Sequence, residues 1–418
     1  MAGLDPAIHG PPLAPALRHR VDARVKPGHD EKKIASPIPL ERRCCRMCAS
    51  GLDLLAHLPD ILPMAETQDT EILPPRANPE LLGQGAAEAE LMTAFQSGRL
   101  PHAWLVCGQG GIGKATLAFR FARYLFAGVN RPAGTMAVDE NDPVFRRVAA
   151  SGHADLLTVE RQFDEDKDRY KKEIAVDDVR KIAPFLRLTA AEGGWRIVVL
   201  DGADGMNRAG QNAVLKILEE PPKGALLLLL TERPSALLPT IRSRCRLLTV
   251  PPLEDEIVDR LLSRRHPDMD AATRAGLVQV AAGSIGRALD IAKHDGLALL
   301  AQFLTIAGGE PVDWPAAHAM ADKLSSPSAD ESYHAFAELL TDWLGRAARE
   351  LGRGEGDLTE RIHGEKKLIQ RLARAGRLEQ LLEVWEKITH LFARSDGANL
   401  DRRLTVISAL NTVSAALR

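Results

Sequence analysis

The sequence predicts an α/β domain with a parallel sheet, followed by an all-helical region. Two near-continuous apolar runs, RIVVLD at 196–201 and ALLLLLT at 225–231, are typical of central strands that are covered on both faces. Further short strand patterns alternate with helical patterns between residues 102 and 250, and this alternation indicates a parallel sheet. Beyond residue 252 the strand signals stop, and amphipathic helical patterns continue to the end.

Each element of the sheet domain has its own signal. Apolar residues at Leu117, Phe121 and Leu125 recur with helical spacing. A second helical pattern contains Pro184, which we expect to kink or interrupt it. The predicted strands are 102–108, 155–160, 196–201, 225–231 and 246–250, and the predicted helices are 115–128, 176–188 and 211–220, the last stopped by Pro221 and Pro222.

The predicted domain boundaries follow from these patterns. Residues 1–75 form an N-terminal extension that we expect to be disordered, because nine of the 26 prolines fall before residue 64 and only 50–58 suggests a helix. Met64 is a hypothetical natural start. The three domains expected after it are a sheet domain at 76–252, a small helical domain at 253–297 and a larger helical domain at 298–418.

The composition excludes several classes of protein. Apolar residues are 45% and charged residues 26% of the 418 residues, which is ordinary for a globular protein. A net charge of -2 gives no general attraction to DNA or to anionic membranes, and no apolar run is long enough for a membrane span. The clustered Cys44, Cys45 and Cys48 lack a second pair of Cys or His residues at a convincing distance, so we predict no zinc site there.

The stretch GQGGIGKATL at 108–117 nearly matches the phosphate-binding loop G-x-x-x-x-G-K-[ST]. Gly113 and Lys114 are in place, and the loop lies between a predicted strand and a predicted helix. Ala115, however, occupies the position of the hydroxyl that binds Mg²⁺, and a methyl group offers no ligand. Thr116 is displaced by roughly 100° around the helix and cannot simply replace it. The sequence therefore predicts a phosphate loop that has lost its metal ligand.

The end of the predicted strand at 196–201 also lacks a residue that ATP hydrolysis needs. Asp201 stands where such proteins hold the magnesium shell. The next residue, where many ATPases have a glutamate that activates water, is Gly202, which has no side chain for proton transfer. Asp204 could be proposed as a substitute, but shaping the turn is the better interpretation. Two parts of one site are missing, and this predicts that the chain does not hydrolyse ATP.

Three stretches give the chain a resemblance to a known family. They are HAWLVCGQGGIGKATLA at 102–118, VVLDGADGMNRAGQNAVLKILEEPP at 198–222 and LLPTIRSRC at 237–245. Over about residues 76 to 418 the chain resembles the clamp-loader branch of the AAA+ proteins, in particular its bacterial DNA polymerase III delta-prime members. The resemblance implies a RecA-like AAA+ sheet domain, a helical lid and a helical collar.

The resemblance also implies a function. Delta-prime members do not hydrolyse ATP; they act as a rigid stator and supply an arginine finger from their Ser-Arg-Cys motif, here Ser243, Arg244 and Cys245. They work with gamma/tau ATPase subunits and a delta subunit in a five-subunit ring that loads the sliding clamp onto primed DNA, in the cytoplasm at the replisome. Many relatives carry a four-cysteine zinc module, but the matching segment 127–155 contains no cysteine, so we expect no metal there.

In AAGSIGRALDIA at 281–292, Gly283, Ser284 and Arg287 match the helix whose arginine normally faces nucleotide, although here Arg287 has an equal claim to a structural role. We expect no required cofactor and at most weak ATP or ADP binding without productive Mg²⁺ coordination. The residues expected to form this vestigial nucleotide site are Gly108, Gly111, Gly113, Lys114, Thr116, Asp201 and Arg287.

Three alternatives stay open at this point. The first is an ATP-hydrolysing motor subunit of the gamma/tau type, which Ala115 and Gly202 disfavour. The second is an independent P-loop enzyme such as a nucleotide kinase, which the Ser-Arg-Cys motif and the long helical tail do not support. The third is a DNA-binding module acting alone, which would require a basic stripe with aromatic residues that the sequence lacks.

Overall fold

A computed structural model describes residues 73–164, 169–171, 173–192, 194–352, 361–362, 364–374, 378–398 and 400–417. The predicted helix at 50–58, the hypothetical start Met64 and the cluster Cys44, Cys45 and Cys48 lie outside the described residues. The described part of the chain falls within one compact unit that covers Thr67–Arg418.

A five-stranded sheet forms the centre of the first half, as the apolar runs predict. Its strand order is β2-β5-β6-β1-β7, and every neighbouring pair is parallel. A separate antiparallel pair, β3 with β4, was not predicted from the sequence. The strands are β1 Ala103–Cys107, β2 Leu156–Val159, β3 Phe163–Asp164, β4 Arg169–Tyr170, β5 Arg196–Leu200, β6 Ala225–Thr231 and β7 Arg246–Thr249.

Seven helices accompany this sheet within the described residues. Side chains on one face of the sheet pack with α1, α2 and α3, and those on the other face pack with α4 to α7. Burial on both faces explains why β5 and β6 are apolar except for Arg196 at the start of β5 and Thr231 at the end of β6. The helices are α1 Gly85–Gln96, α2 Lys114–Phe126, α3 Pro143–Ala149, α4 Val176–Arg180, α5 Ile182–Arg187, α6 Arg208–Glu219 and α7 Pro239–Arg242.

Pro184 interrupts the helix predicted at 176–188, and the break lies before the proline. Helix α4 ends at Arg180 and α5 begins at Ile182. Proline has no N–H to donate to the carbonyl four residues earlier, and this carbonyl belongs to Arg180. Pro184 itself is tolerated in the first turn of α5, where N–H groups have no helical partner in any case.

The chain after β7 is all-helical over the described residues, in agreement with the predicted fold class. One continuous apolar core joins its helices from Leu253 to Leu417. Packing does not mark a division near residue 297, and the boundary between a lid and a collar stays a prediction. The helices are α8 Asp255–Arg265, α9 Ala271–Ala281, α10 Ile285–Lys293, α11 Gly296–Gly308, α12 Trp314–Leu324, α13 Asp330–Gly352, α14 Glu365–Arg374, α15 Leu378–Ala398 and α16 Arg402–Leu417.

The parallel sheet decides where the chemistry can lie. The carboxyl ends of all five strands meet at one edge, and ligands of open α/β sheets bind at this edge. Residues that follow β1, β5 and β6 therefore come close together although they are far apart in sequence. Among the described helices, none is long and apolar enough to cross a membrane.

Candidate functional site

The phosphate loop joins β1 to α2, as the motif predicts. Gly113 is the N-cap of α2 and has φ 97°, and Gly111 has φ 71°. Both values lie in the left-handed region that glycine adopts without strain, so the two glycines allow the tight curl of the loop. Gly108 is restricted by space, because a Cβ there would lie 2.6 Å from the Val250 carbonyl oxygen. The backbone architecture of a phosphate site is therefore present.

Lys114 is folded back onto this loop. Its Nζ donates hydrogen bonds to the carbonyl oxygens of Gly108, at 2.9 Å, and Gln109, at 2.6 Å. Burial lowers the pKa of this ammonium group, and the negative charges of Glu232 and Asp201 oppose that shift. Lys114 thus places a positive charge next to the loop. Two backbone carbonyls accept its hydrogen bonds, and the carboxylates of Glu232 and Asp201 favour its charged form.

Asp201 follows β5 and lines the same cavity as Lys114, so two residues predicted for the nucleotide site lie at one cavity. Burial raises the pKa of the Asp201 carboxyl group, although the charge of Lys114 acts in the opposite direction. Gly202 has φ 72°, so any other residue at this position would have a strained backbone. The position where many ATPases have a water-activating glutamate is therefore held by glycine, in a backbone conformation that disfavours glutamate.

Strand β6 lies between β1 and β5, and the residue that follows it brings a further carboxylate to the site. Glu232 directly follows β6 and lies so close to the loop that a Cβ on Gly110 would be 2.5 Å from its Oε1 atom. Sequence analysis missed Glu232, although it follows its buried strand as Asp201 follows the neighbouring one. Asp204 accepts hydrogen bonds from the Thr231 hydroxyl, at 3.0 Å, and from the Arg233 Nε group, at 3.2 Å.

These contacts give Asp204 a structural part in shaping the turn. Burial alone would raise its pKa, but hydrogen bonds from the Glu232 N–H, the Thr231 hydroxyl and Arg233 bring the pKa below its ordinary value. Asp204 is thus held as a carboxylate that ties the end of β6 to the turn after β5.

The side chains at the loop do not fit a magnesium ion. Mg²⁺ requires several oxygen ligands in near-octahedral geometry, and Ala115 lines the cavity with a methyl group where the loop would normally supply a hydroxyl. Thr116 lines the cavity as well, but its position one residue further turns it away by roughly 100°. No chemical step through a bound metal follows from this arrangement.

The phosphate loop lines a cavity. The cavity has a volume of about 540 Å³, within the size range of small-molecule sites. Its lining includes residues 110–116 of the loop and apolar residues from the chain after β7, among them Leu253, Leu261 and Leu289. Acidic and basic groups both line it, namely Glu80, Glu160, Asp201, Glu232, Lys114, Arg161, Arg264 and Arg265.

Helix α10 begins directly on the phosphate loop. The Ser284 hydroxyl donates to the carbonyl oxygen of Gly110, at 2.7 Å, and also accepts the N–H of Arg287 as the N-cap of its own helix. The N–H of Gly286 donates to the carbonyl oxygen of Gly111, at 3.0 Å. A Cβ on Gly286 would lie 2.7 Å from the Cα of Gly111, so two glycines are needed for this approach. The loop and the helical region are thus joined by direct backbone contact.

Arg287 and Gly108 do not line the cavity, unlike the other residues predicted for the nucleotide site. The guanidinium of Arg287 forms ion pairs with Glu338, at 3.5 Å, and with Asp342, both on α13. Burial raises the pKa of Glu338, and the charge of Arg287 opposes this shift. The contacts of Arg287 therefore join α10 to α13.

Arg244 does not line this cavity and lies two residues before β7. Its backbone N–H donates to the carbonyl oxygen of Ile241, at 3.0 Å, while its side chain is 36% exposed. The next residue, Cys245, packs against the apolar core of the sheet domain, and burial raises the pKa of its thiol to about 12. Within the Ser-Arg-Cys motif, the Cys245 side chain thus packs inward and the Arg244 guanidinium lies at the surface.

Metal ligands are not gathered anywhere in the described part of the chain, where no group of three or more His, Cys, Asp or Glu residues could hold an ion. The described cysteines, Cys107 and Cys245, are both free thiols.

A parallel sheet with a phosphate loop at its carboxyl edge defines the class of P-loop proteins. Residues 83–254 match the family described as "DNA polymerase III, delta subunit". A delta-prime subunit of DNA polymerase III from Pseudomonas aeruginosa is 38% identical over 183 residues, which are 44% of this chain and 53% of that protein. The corresponding subunit from Escherichia coli is 32% identical over 206 residues, 49% of this chain and 59% of that protein.

Gamma/tau subunits of DNA polymerase III are similar to this chain as well. A gamma/tau subunit from Mycobacterium tuberculosis is 32% identical over 170 residues, 41% of this chain and 28% of that protein. The chain spans about half the length of the delta-prime relatives it matches. Together these matches confirm the resemblance to the delta-prime members of the DNA polymerase III clamp-loader family.

Proposed function

We propose that the chain is a non-hydrolysing, delta-prime-type subunit of a DNA polymerase III clamp loader. The observation that supports this proposal most strongly is the double loss at the phosphate loop. Ala115 supplies no oxygen for Mg²⁺, and Gly202, with φ 72°, supplies no group that could activate water. Either loss alone would weaken hydrolysis, and together they remove both the metal-binding hydroxyl of the loop and the water-activating side chain after β5.

Arg244 is proposed as an arginine finger that acts in trans on the ATP site of a neighbouring subunit. A guanidinium is planar and permanently charged, so it can stabilise the charge that develops on the transferred phosphate. A finger supplied by a neighbour can raise the rate by roughly 10³ to 10⁵. The exposure of Arg244 and its separation from the chain's own loop support this role.

The further parts of the proposal follow from the same assignment. Gamma/tau ATPase subunits and a delta subunit are the proposed partners in a five-subunit ring, with the sliding clamp and primed DNA engaged through the assembly. We propose a cytoplasmic, nucleoid-associated place of action and no required cofactor. The cavity of about 540 Å³ could bind ATP or ADP weakly, without productive Mg²⁺ coordination.

The second candidate function is an ATP-hydrolysing motor subunit of the gamma/tau type. Two observations favour it, namely the retained cavity next to Lys114 and the similarity to gamma/tau subunits. It would require Mg²⁺ to be held without a hydroxyl at position 115 and water to be activated without a side chain at position 202.

Steady-state ATP turnover by the purified chain separates these two functions. The proposed function predicts no turnover above that of the Lys114→Ala variant, which serves as the control for contaminating ATPases. Turnover by the unaltered chain that Lys114→Ala abolishes would refute the proposal and favour a motor subunit.

A further inference from the structure

The Arg244 side chain is held by two contacts at the surface. Its Nη2 group lies 2.9 Å from Oε1 of Glu219, the last residue of α6. Its Nη1 group donates a hydrogen bond to the carbonyl oxygen of Thr240, at 3.0 Å. A guanidinium carries five N–H donors, so these two contacts leave further donors for phosphate oxygens.

Helix α6 also fixes the backbone segment from which Arg244 emerges. The buried Gln211 side chain donates to the carbonyl oxygens of Met206 and Ala236 and accepts the N–H of Leu238, at 2.8 Å. These bonds hold residues 236–238, which lead directly into α7. One helix thus positions the segment through Gln211 and the arginine tip through Glu219.

We propose that Glu219 is a positioning residue for Arg244: it holds the guanidinium in a fixed place before the neighbouring nucleotide is engaged. This inference rests on the proposed function of Arg244 as a finger in trans. Without Glu219, the long arginine side chain would have to be ordered each time it binds phosphate, and this ordering opposes binding.

The strength of the contact suits such a role. The two side chains are 36% and 51% exposed, and ion pairs at this exposure contribute little to stability. The contact can therefore orient Arg244 and still yield to the stronger charge of a phosphate. A deeply buried pair would hold the arginine too firmly to be exchanged, because breaking it leaves an uncompensated charge.

Turnover in the reconstituted assembly with gamma/tau and delta subunits tests this inference. Glu219→Ala is expected to lower kcat by about 2- to 10-fold at the ATP site that Arg244 completes, with KM for ATP unchanged. Glu219→Gln, which retains an oxygen acceptor but not the charge, should give an intermediate value. Glu220→Ala is the matched control, because it removes the neighbouring exposed carboxylate at the C-cap of α6 and should leave kcat unchanged.

The Arg244→Ala variant separates the possible outcomes. If Glu219 acts through Arg244, Glu219→Ala has no further effect in a chain that already carries Arg244→Ala. A loss of kcat with Arg244→Ala but not with Glu219→Ala would overturn this inference alone. An equal loss with Glu219→Ala and Glu220→Ala would also overturn it, and an Arg244→Ala assembly with full turnover would overturn the proposed function itself.

Discussion

Asp201 and Asp204 are three residues apart, and their surroundings shift their pKa values in opposite directions. Burial raises the pKa of Asp201, whereas Asp204 accepts hydrogen bonds from three groups that keep it ionised. The two aspartates thus have different roles, although they lie close together in the chain. Asp201 is a charge held at the site against a desolvation cost, and Asp204 is part of the scaffold.

Asp201→Asn is expected to raise the melting temperature at pH 7. A carboxyl whose pKa is raised in the folded chain binds its proton more tightly there than in the unfolded chain, so ionisation at neutral pH destabilises the fold. The gain from the substitution should shrink as the pH falls and disappear below about pH 4, where the unfolded aspartate is protonated as well. Calorimetric scans between pH 4 and pH 8 measure this difference.

Asp204→Asn is the control, with the same substitution and the opposite expected sign. Its lowered pKa means that the carboxylate stabilises the fold above the ordinary aspartate pKa of about 4, and this stabilisation is lost as the pH falls through the folded value. The variant should therefore melt at a lower temperature than the unaltered chain at pH 7, with the deficit vanishing in acid. Shifts of the same sign in both variants would contradict these assignments.

At the residue scale, the sequence predicts the parts of the site that belong to motifs. Lys114 and Asp201 could be placed together because each follows a recognisable strand, and the structure places both at one cavity. Glu232 also follows a recognisable strand, but it belongs to no motif, and the order of the strands places it beside the loop. The ion pairs of Arg287 with Glu338 and Asp342 could not be predicted from the sequence, because these partners lie about 50 residues further along the chain.

At the element scale, the contact between α10 and the phosphate loop is the feature that sequence patterns do not reveal. Long apolar runs predict β5 and β6 because burial on both faces leaves a strong local signal. The paired strands β3 and β4 have two residues each, too few for any period. The approach of Gly286 to Gly111 leaves no local signal, because it depends on the packing of elements that are distant in sequence.

Gly286→Ala is expected to separate α10 from the loop. The added methyl group would lie 2.7 Å from the Cα of Gly111, which is backbone and cannot turn aside. We expect a loss of about 1–3 kcal/mol in the free energy of unfolding, the usual cost of overpacking. Hydrogen exchange should become faster in residues 108–114 and at the start of α10, because both lose their mutual hydrogen bonds.

Gly210→Ala is the matched control within α6. Its new methyl group would meet only ordinary contacts, the nearest at 3.6 Å, and its helical backbone suits alanine. A gain of about 0.4–1 kcal/mol is expected there, because alanine restricts the unfolded chain. If hydrogen exchange in residues 108–114 were unchanged in the Gly286→Ala variant, the close contact between Gly286 and Gly111 would be contradicted.

At the scale of the whole described molecule, the sheet domain and the helical region meet at the phosphate loop. The loop retains a cavity and a lysine, while Ala115 replaces the loop's hydroxyl and Gly202, with φ 72°, follows Asp201. Arg244 lies elsewhere on the sheet domain, positioned by α6 and α7. The arrangement favours a subunit whose catalytic contribution is made at a neighbour's site.

The most direct test of this central claim is ATP turnover by the reconstituted clamp loader with Arg244→Ala in this chain. The control is Arg242→Ala, which removes the same charge from an exposed position two residues away. We predict that Arg244→Ala lowers turnover at the neighbouring site by on the order of 10³-fold, while Arg242→Ala leaves it unchanged. Equal turnover in the two variants would contradict the assignment of Arg244 as a finger in trans.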